Sequence, residues 1–408
     1  MHRLTTQHHA KRIVGGTAAF ITALAMAALP LPAQDVIELP AADRRLDADF
    51  EEIYKLGALD GRGWETFGNI VGVGFDGAGN LYIFDSGAVR IYVVDQQGNL
   101  VRQFIGEGEG PGEFGGNYAA GMDFAVMRDS RVAVYDIGRM AFALFDATGE
   151  FERTVPLVGP QTHTPMIGGI QAFPGMERVL STTEVSYLRR TEPGPDDESS
   201  VPSFRYVLSY GLSGDQVRLD SVAAGWRPSG DPEAFKPPLA AGVLPSGAVV
   251  YTDSSAYAIK FAVPSGGVTR ILTRPFQPRR VTEAMKAAEL ERRLERLGDG
   301  GGDPMRQRMI EFRRGQIEAM EFFDEVPVVL ALKTSWEGTI WVWHRGDEGT
   351  EGSRIDLITP EGRYLGTFAP GSTAMPSAFG PDGLVAFVET DDLDVPYVVV
   401  KRLPDGMR

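Results

Sequence analysis

Residues 75–100 read FDGAGNLYIFDSGAVRIYVVDQQGNL: a polar turn, an apolar run, a second turn, a second run and a third turn. The runs LYIFD and RIYVVD are rich in aromatic and β-branched residues, while DGAGN, DSG and QQGN are turn formers. This pattern predicts an antiparallel meander. The cadence returns at 127–155 (MRDSRVAVYDIGRMAFALFDATGEFERTV), 244–272 (LPSGAVVYTDSSAYAIKFAVPSGGVTRIL) and 336–368. Two weaker copies, one opening at GMERVLSTTEVSYL and one at GPDGLVAFVETDDLDVPYVVVKRL, complete a set of six. Anchored on the first run of each copy, at Leu81, Val132, Val179, Val249, Ile340 and Val385, the spacings are 51, 47, 70, 91 and 45 residues. The two long gaps hold insertions.

A unit of roughly 40 to 50 residues with about four short strands has the size of a propeller blade. Such blades bury their faces only against their neighbours, so the array is stable when it closes into a ring. The last copy supplies about three strands before Arg408, whereas residues 50–56 (FEEIYKL) read as a strand ahead of the first copy. Placed as the outer strand of the last blade, that segment fastens the ring and leaves no long exposed edge. The expected fold is therefore all-β: a six-bladed β-propeller over residues 34–408, closed by N- and C-terminal strands in one blade.

The order NLYIFD, RIYVVDQQGNLVRQF and GEGEGPGEF resembles the NHL-type blade, most specifically over residues 67–114. The whole chain resembles the exported bacterial six-bladed β-propeller proteins with NHL-type repeats. That resemblance implies a ring around a central channel. It implies no particular reaction, because the fold hosts binding platforms, lyases, lactonases and quinone-dependent dehydrogenases alike.

Residues 105–114, IGEGEGPGEF, place four glycines on alternate positions among three glutamates. The stretch 110–115 satisfies G-x-G-x-x-G, but no helix follows, and three glutamates would repel a phosphate. The loop reads instead as a crossing between the first two blades, with Phe114 filling the gap between them. Glu107, Glu109 and Glu113 are ordinary solvated carboxylates or, alternatively, ligands for a cation there.

The insertion at 190–202, RTEPGPDDESSVP, has the composition of a mobile hairpin tip in the third blade. The insertion at about 281–323 is dense in helix formers and predicts a helical hairpin. Leu290, Leu294 and Leu297 share one face of its first helix, which GDGGG ends. Asp303 and Pro304 read as N-cap and first-turn proline of the second, with Met305, Met309, Phe312 and Met320 near one face. These side chains read as ordinary packing or as a Met-rich lid or docking element.

Residues 1–33 differ from the rest: Arg3, Lys11 and Arg12 precede a short apolar stretch that ends at small residues. This is the order of a cleavable signal peptide, so the expected location is extracytoplasmic, periplasmic or secreted, with no membrane insertion after cleavage. Its loss removes three positive charges and takes the formal net charge from −15 to −18, which argues against nucleic acid as a partner. Apolar residues make up 43% of the chain, enough for a sizeable core, and 49 glycines with 27 prolines fit many short elements.

The chain has no cysteine, and beyond residue 33 only His163 and His344 remain as histidines, too few for a zinc site of three N or S ligands. No G-x-S-x-G, H-E-x-x-H or Ser/His/Asp set stands out. His344 ends the strand TIWVWH at the position held by Asp85, Asp136, Asp253 and Glu389 in other copies. These five are the candidate ligand-binding residues: converging on the channel they would suit a hard cation such as Ca²⁺, while the simpler alternative is capping of their own turns. No cofactor is otherwise expected and no metal is assigned. The expected function is a binding or interaction platform for a protein, peptide or carbohydrate ligand. The alternative is a divalent-cation-dependent hydrolase, lactonase or lyase with carboxylates lining the channel.

Overall fold

The computed structural model describes residues 34–58, 61, 63–114, 122–158, 163–189, 205–227, 233–264, 266–298, 304–346 and 352–408. Six sheets of four or five strands follow one another along the chain as the blades of a β-propeller. The first blade runs Ile70–Phe75, Leu81–Asp85, Arg90–Val94, Leu100–Phe104, an antiparallel meander in that spatial order. All six sequence anchors fall on the second strand of a blade: Leu81–Asp85, Val132–Asp136, Arg178–Ser181, Val249–Thr252, Ile340–Arg345 and Leu384–Thr390.

The turns explain the regularity. In the first blade Asp95 Oδ1 accepts the N–H groups of Gln97 (2.9 Å) and Asn99 (2.8 Å), and Gly98 supplies the positive φ of 82° that the turn requires. Asp146 holds the equivalent turn of the second blade in the same way, and Asp76 the turn between the first blade's first two strands.

The second strand of a blade is buried on both faces, so its side chains alternate between two interblade cores rather than between core and solvent. Leu81 and Ile83 join a cluster with Leu384, Val398 and Val400 of the sixth blade. Tyr82 and Phe84 point the other way, toward Phe124, Val132 and Val134 of the second blade. Six such clusters occupy the six blade junctions among the described residues. Each fully buried large side chain contributes about 1.5–3 kcal/mol relative to exposure. Phe114, 2% exposed, fills the junction between the first two blades as its sequence position suggests. Its loop is clamped by Arg139, which donates to the carbonyls of Glu113 and Glu109.

The ring closes in the sixth blade. Glu51–Leu56 pairs antiparallel with Pro396–Arg402, with Leu56 opposite Val398. Upstream of this strand lies an arm that the sequence pattern did not reveal. Asp35–Glu38 adds a parallel fifth strand to the fourth blade, and Arg45–Leu46 does the same for the fifth.

A buried ionic network fixes the arm. Arg274 donates to Pro40 O (2.9 Å), Ala41 O (3.0 Å), Asp43 Oδ1 (3.0 Å) and Asp356 Oδ2 (2.8 Å). Its guanidinium stacks on Phe276 and Tyr364 at 4.5 and 4.8 Å. Asp356 also accepts from Tyr257 (2.7 Å) and Thr367, and the side chains of Arg274, Asp356 and His344 are shielded from solvent. Burial alone would raise the Asp356 pKa, but His344, Arg274 and Thr367 together hold the carboxyl below its ordinary value.

The helical hairpin is present as Glu283–Leu297 and Pro304–Glu318. Thr282 caps the first helix through a hydrogen bond from Met285 N–H, and Gly298 ends it at φ 65°. The helices lean on one another, and the first has no buried residue. Met305, Met309 and Phe312 are 71%, 52% and 67% exposed, and only Met320 is buried, so the packing reading fails for the first three. The expected Asp303 cap and the 190–202 tip lie outside the described residues. The hairpin's base packs Phe322 on Phe235 and Phe323 on Trp226.

Replacing Asp356 by Asn leaves the Arg274 guanidinium without its fully buried partner and should cost about 3–5 kcal/mol in denaturant unfolding at neutral pH. The folded-state pKa of Asp356 lies below its unfolded value, so its contribution is complete above the ordinary carboxylate range and is lost as pH falls from that range through the lower folded value. The gap between wild type and Asp356→Asn should therefore shrink below about pH 4. A gap that stays constant on acidification would contradict the assignment.

Candidate functional site

The first strand of each blade faces the axis, and together the six strands line a central cavity of about 830 Å³. Most of its wall is apolar, with Ile70, Phe124, Ile170, Leu239, Leu330 and Phe379 contributed by different blades. Few polar groups interrupt it, and they divide by position along the strands.

Where the strands end, the channel is bridged from wall to wall. Arg128, just past the second blade's inner strand, donates to Trp336 O (3.0 Å) beyond the fifth blade's, and its guanidinium lies 4.4 Å from the Trp336 ring. Gln171 of the third blade donates to Thr334 Oγ1 (3.1 Å) of the fifth and accepts from Val243 N–H (2.9 Å) of the fourth. Gly242 permits this approach: a Cβ there would sit 2.7 Å from Thr334 Cγ2.

Where the strands begin, the polar groups are acidic and basic. Asp123 opens the second blade's inner strand, and its carboxylate accepts Phe124 N–H at 2.7 Å and the N–H groups of Gly169 and Ile170 from the next blade. Burial outweighs these hydrogen bonds and pushes its pKa up to about 6. Lys333, by contrast, is one residue from the end of the fifth blade's inner strand, beside Thr334, and donates to Pro376 O (2.8 Å) and Ser377 O (3.2 Å), just ahead of the sixth blade's inner strand. Burial pulls its pKa down. Glu184 pairs with Arg205 (2.9 Å) and Lys236 (3.3 Å). Arg205, 4% exposed, also donates to Trp226 O, Pro237 O and Asp253 O, tying the segment beneath the helical hairpin to the channel mouth.

The five residues singled out in the sequence do not meet in this channel. Asp85 accepts the N–H groups of Gly68 (2.9 Å), Asn69 (2.8 Å) and Gly87 (2.9 Å), capping its own blade. Asp136 holds the Arg139 N–H and guanidinium. Asp253 binds Lys260 at 2.7 Å and Trp226 N–H. Glu389 accepts from the Tyr397 hydroxyl at 2.7 Å. His344 places Nε2 3.0 Å from Asp356 Oδ1 and Nδ1 2.8 Å from Arg345 O, stacked on Phe276 within the buried network. All five belong to second strands or their ends, one layer out from the channel wall, so their shared repeat position does not aim them at the axis. Among the described residues no three His, Asp or Glu side chains form a metal set. Asp123 and Lys333 escaped notice in the sequence because neither belongs to a local motif.

Comparison with known proteins points to the same architecture. The family model of DUF5128, a 6-bladed beta-propeller, matches residues 66–158, the first two blades. Comparison with curated proteins gives no match. Among solved structures the chain is similar to a member of the DUF4221 family from Bacteroides vulgatus, at 10% identity and TM-score 0.50, over 88% of this chain and 98% of that one. It is similar also to a Bacteroides fragilis protein, at 13% identity and TM-score 0.46, over 91% of this chain and 100% of that one. Virginiamycin B lyase from Staphylococcus aureus is 12% identical, with TM-score 0.40 over 87% of this chain and 100% of that one. The likeness is one of fold.

Because Asp123 is easier to protonate folded than unfolded, its ionisation weakens the fold as pH rises from the ordinary carboxylate range through about 6. Asp123→Asn should therefore match or exceed the wild-type thermal midpoint at pH 8, and lose that relative advantage toward pH 5. A midpoint difference independent of pH would show that the carboxyl does not titrate in this range.

Proposed function

We infer that this chain is an exported six-bladed propeller that serves as a binding platform, with its ligand seated in the central channel. The observation that carries this reading is the cavity of about 830 Å³, apolar over most of its wall, provided at one mouth with Asp123 and the Glu184, Arg205 and Lys236 cluster and farther along the fifth blade's inner strand with Lys333. An apolar hollow with a few placed polar groups is the usual form of a small-ligand or peptide site. The apolar wall favours a peptide or similar amphipathic ligand over a carbohydrate, whose hydroxyls need a denser set of polar partners. Export rests on the basic, apolar and small-residue order of residues 1–33. The cation-dependent reaction considered as the alternative draws no support from this geometry, since its carboxylates are committed to their own blades.

The helical hairpin bears on the same mouth. It is planted on Trp226 and on Phe235, the latter directly before Lys236, which with Leu239 lines the channel. Its exposed Met309 and Phe312 give it the adaptable surface of a lid or docking element.

Ala331 lies on the channel wall, so Ala331→Trp should fill the cavity without removing a polar group. In thermal-shift titrations against peptide and oligosaccharide panels, a channel ligand should raise the wild-type midpoint with its concentration and leave Ala331→Trp unmoved. A shift that persists in this variant would place binding outside the channel.

A further inference from the structure

Of the charged groups that line the channel, Asp123, Arg128 and Lys333 have no ion pair of 4 Å or less among the described residues; Arg128 is taken up by the Trp336 carbonyl and ring, and the other two stand on opposite walls. Asp123 belongs to the second blade and Lys333 to the fifth, three blades apart in a ring of six. The other acids and bases near the channel are committed: Glu184 to Arg205 and Lys236, and Arg205 to three carbonyls besides. Lys333 donates to two carbonyls, while an ammonium has three N–H donors. Lys333 lines the cavity, where a bound ligand could supply the third acceptor. Asp123 takes its hydrogen bonds from backbone N–H groups, leaving its charge without a cation, and a charge held in apolar surroundings gains most from a partner of opposite sign. Between them lies the apolar wall of Ile70, Phe124, Leu239 and Leu330.

Resting on the reading of the channel as the binding site, we propose that its ligand is a zwitterion of the short-peptide class with apolar side chains. Its ammonium sits at Asp123, its carboxylate at Lys333, and its side chains lie on the wall between them. Two opposed charges set the ligand's direction across the channel, and the hydrophobic surface supplies affinity with little discrimination among apolar side chains. The site thus selects for free ends rather than for a particular sequence.

The test is calorimetric titration of the full chain with leucyl-phenylalanine, its N-acetyl derivative and its C-terminal amide. Each cap removes one charged hydrogen-bond pair, so each should weaken binding by about 10- to 100-fold. In Asp123→Asn the penalty for acetylation should vanish while that for amidation remains, and in Lys333→Met the reverse should hold. Capped peptides that bind as well as the free one, penalties that survive both substitutions, or no binding of the free peptide would overturn the proposal. Ala331→Trp separates this outcome from failure of the channel reading: capped peptides that bind equally to wild type and lose binding in Ala331→Trp leave the channel as the site and refute only the zwitterion. Binding retained in Ala331→Trp refutes the channel itself.

Discussion

The pairing of Glu51–Leu56 with Pro396–Arg402 is the constraint on which the rest of the structure depends. Each core cluster is shared by two blades, so a ring broken at any junction exposes two apolar faces at once. The strand that mends the ring comes from the opposite end of the chain, and Leu56 and Val398 enter the same cluster as Phe75, Leu81 and Ile83 of the first blade. Closure therefore fixes the spacing of the inner strands, and with it the width of the channel. The N-terminal arm extends the same principle outward by edging the fourth and fifth blades before supplying the closing strand to the sixth.

The Arg274 network answers a problem that this arm creates. A short parallel strand on a sheet edge buries little apolar surface, and Arg45–Leu46 has only two residues. One guanidinium gathers two arm carbonyls and Asp43 on one side and Asp356 on the other. Such a network adds less to stability than its Coulomb energy suggests, because the guanidinium and its four acceptors leave water to form it. Its effect is positional: it holds the chain to one register as it passes from the fourth blade to the fifth.

Much of the fold was legible in the sequence because the second strand of every blade is buried on both faces over most of its length. A doubly buried strand must be apolar throughout and must end in tight turns, which is the signal that located Leu81, Val132, Val179, Val249, Ile340 and Val385. The arm was illegible because DVIE and RL are too short to carry a period. The exposure of Met305, Met309 and Phe312 was equally hidden, since helical spacing groups side chains on a face without saying whether anything covers it. The five candidate residues do not converge for a geometric reason. Repeat-equivalent positions form a ring only if their strand lines the axis, and Asp85, Asp136, Asp253, His344 and Glu389 lie one strand too far out. The channel wall draws on six short inner strands dispersed through the sequence, so Asp123 and Lys333 come to line one cavity only through closure.

Hydrogen exchange followed by mass spectrometry on wild type and Tyr54→Pro tests that central claim most directly. Tyr54 faces Val400 in the closing pair, and proline there removes a backbone donor and disrupts the strand. The account predicts that wild-type amides in Pro396–Arg402 exchange as slowly as those in Leu81–Asp85. It also predicts that Tyr54→Pro accelerates exchange in the sixth blade and across the junction into the first. Acceleration confined to residues 51–56, with the first blade unchanged, would mean that the ring holds together without its closing strand and would contradict the account.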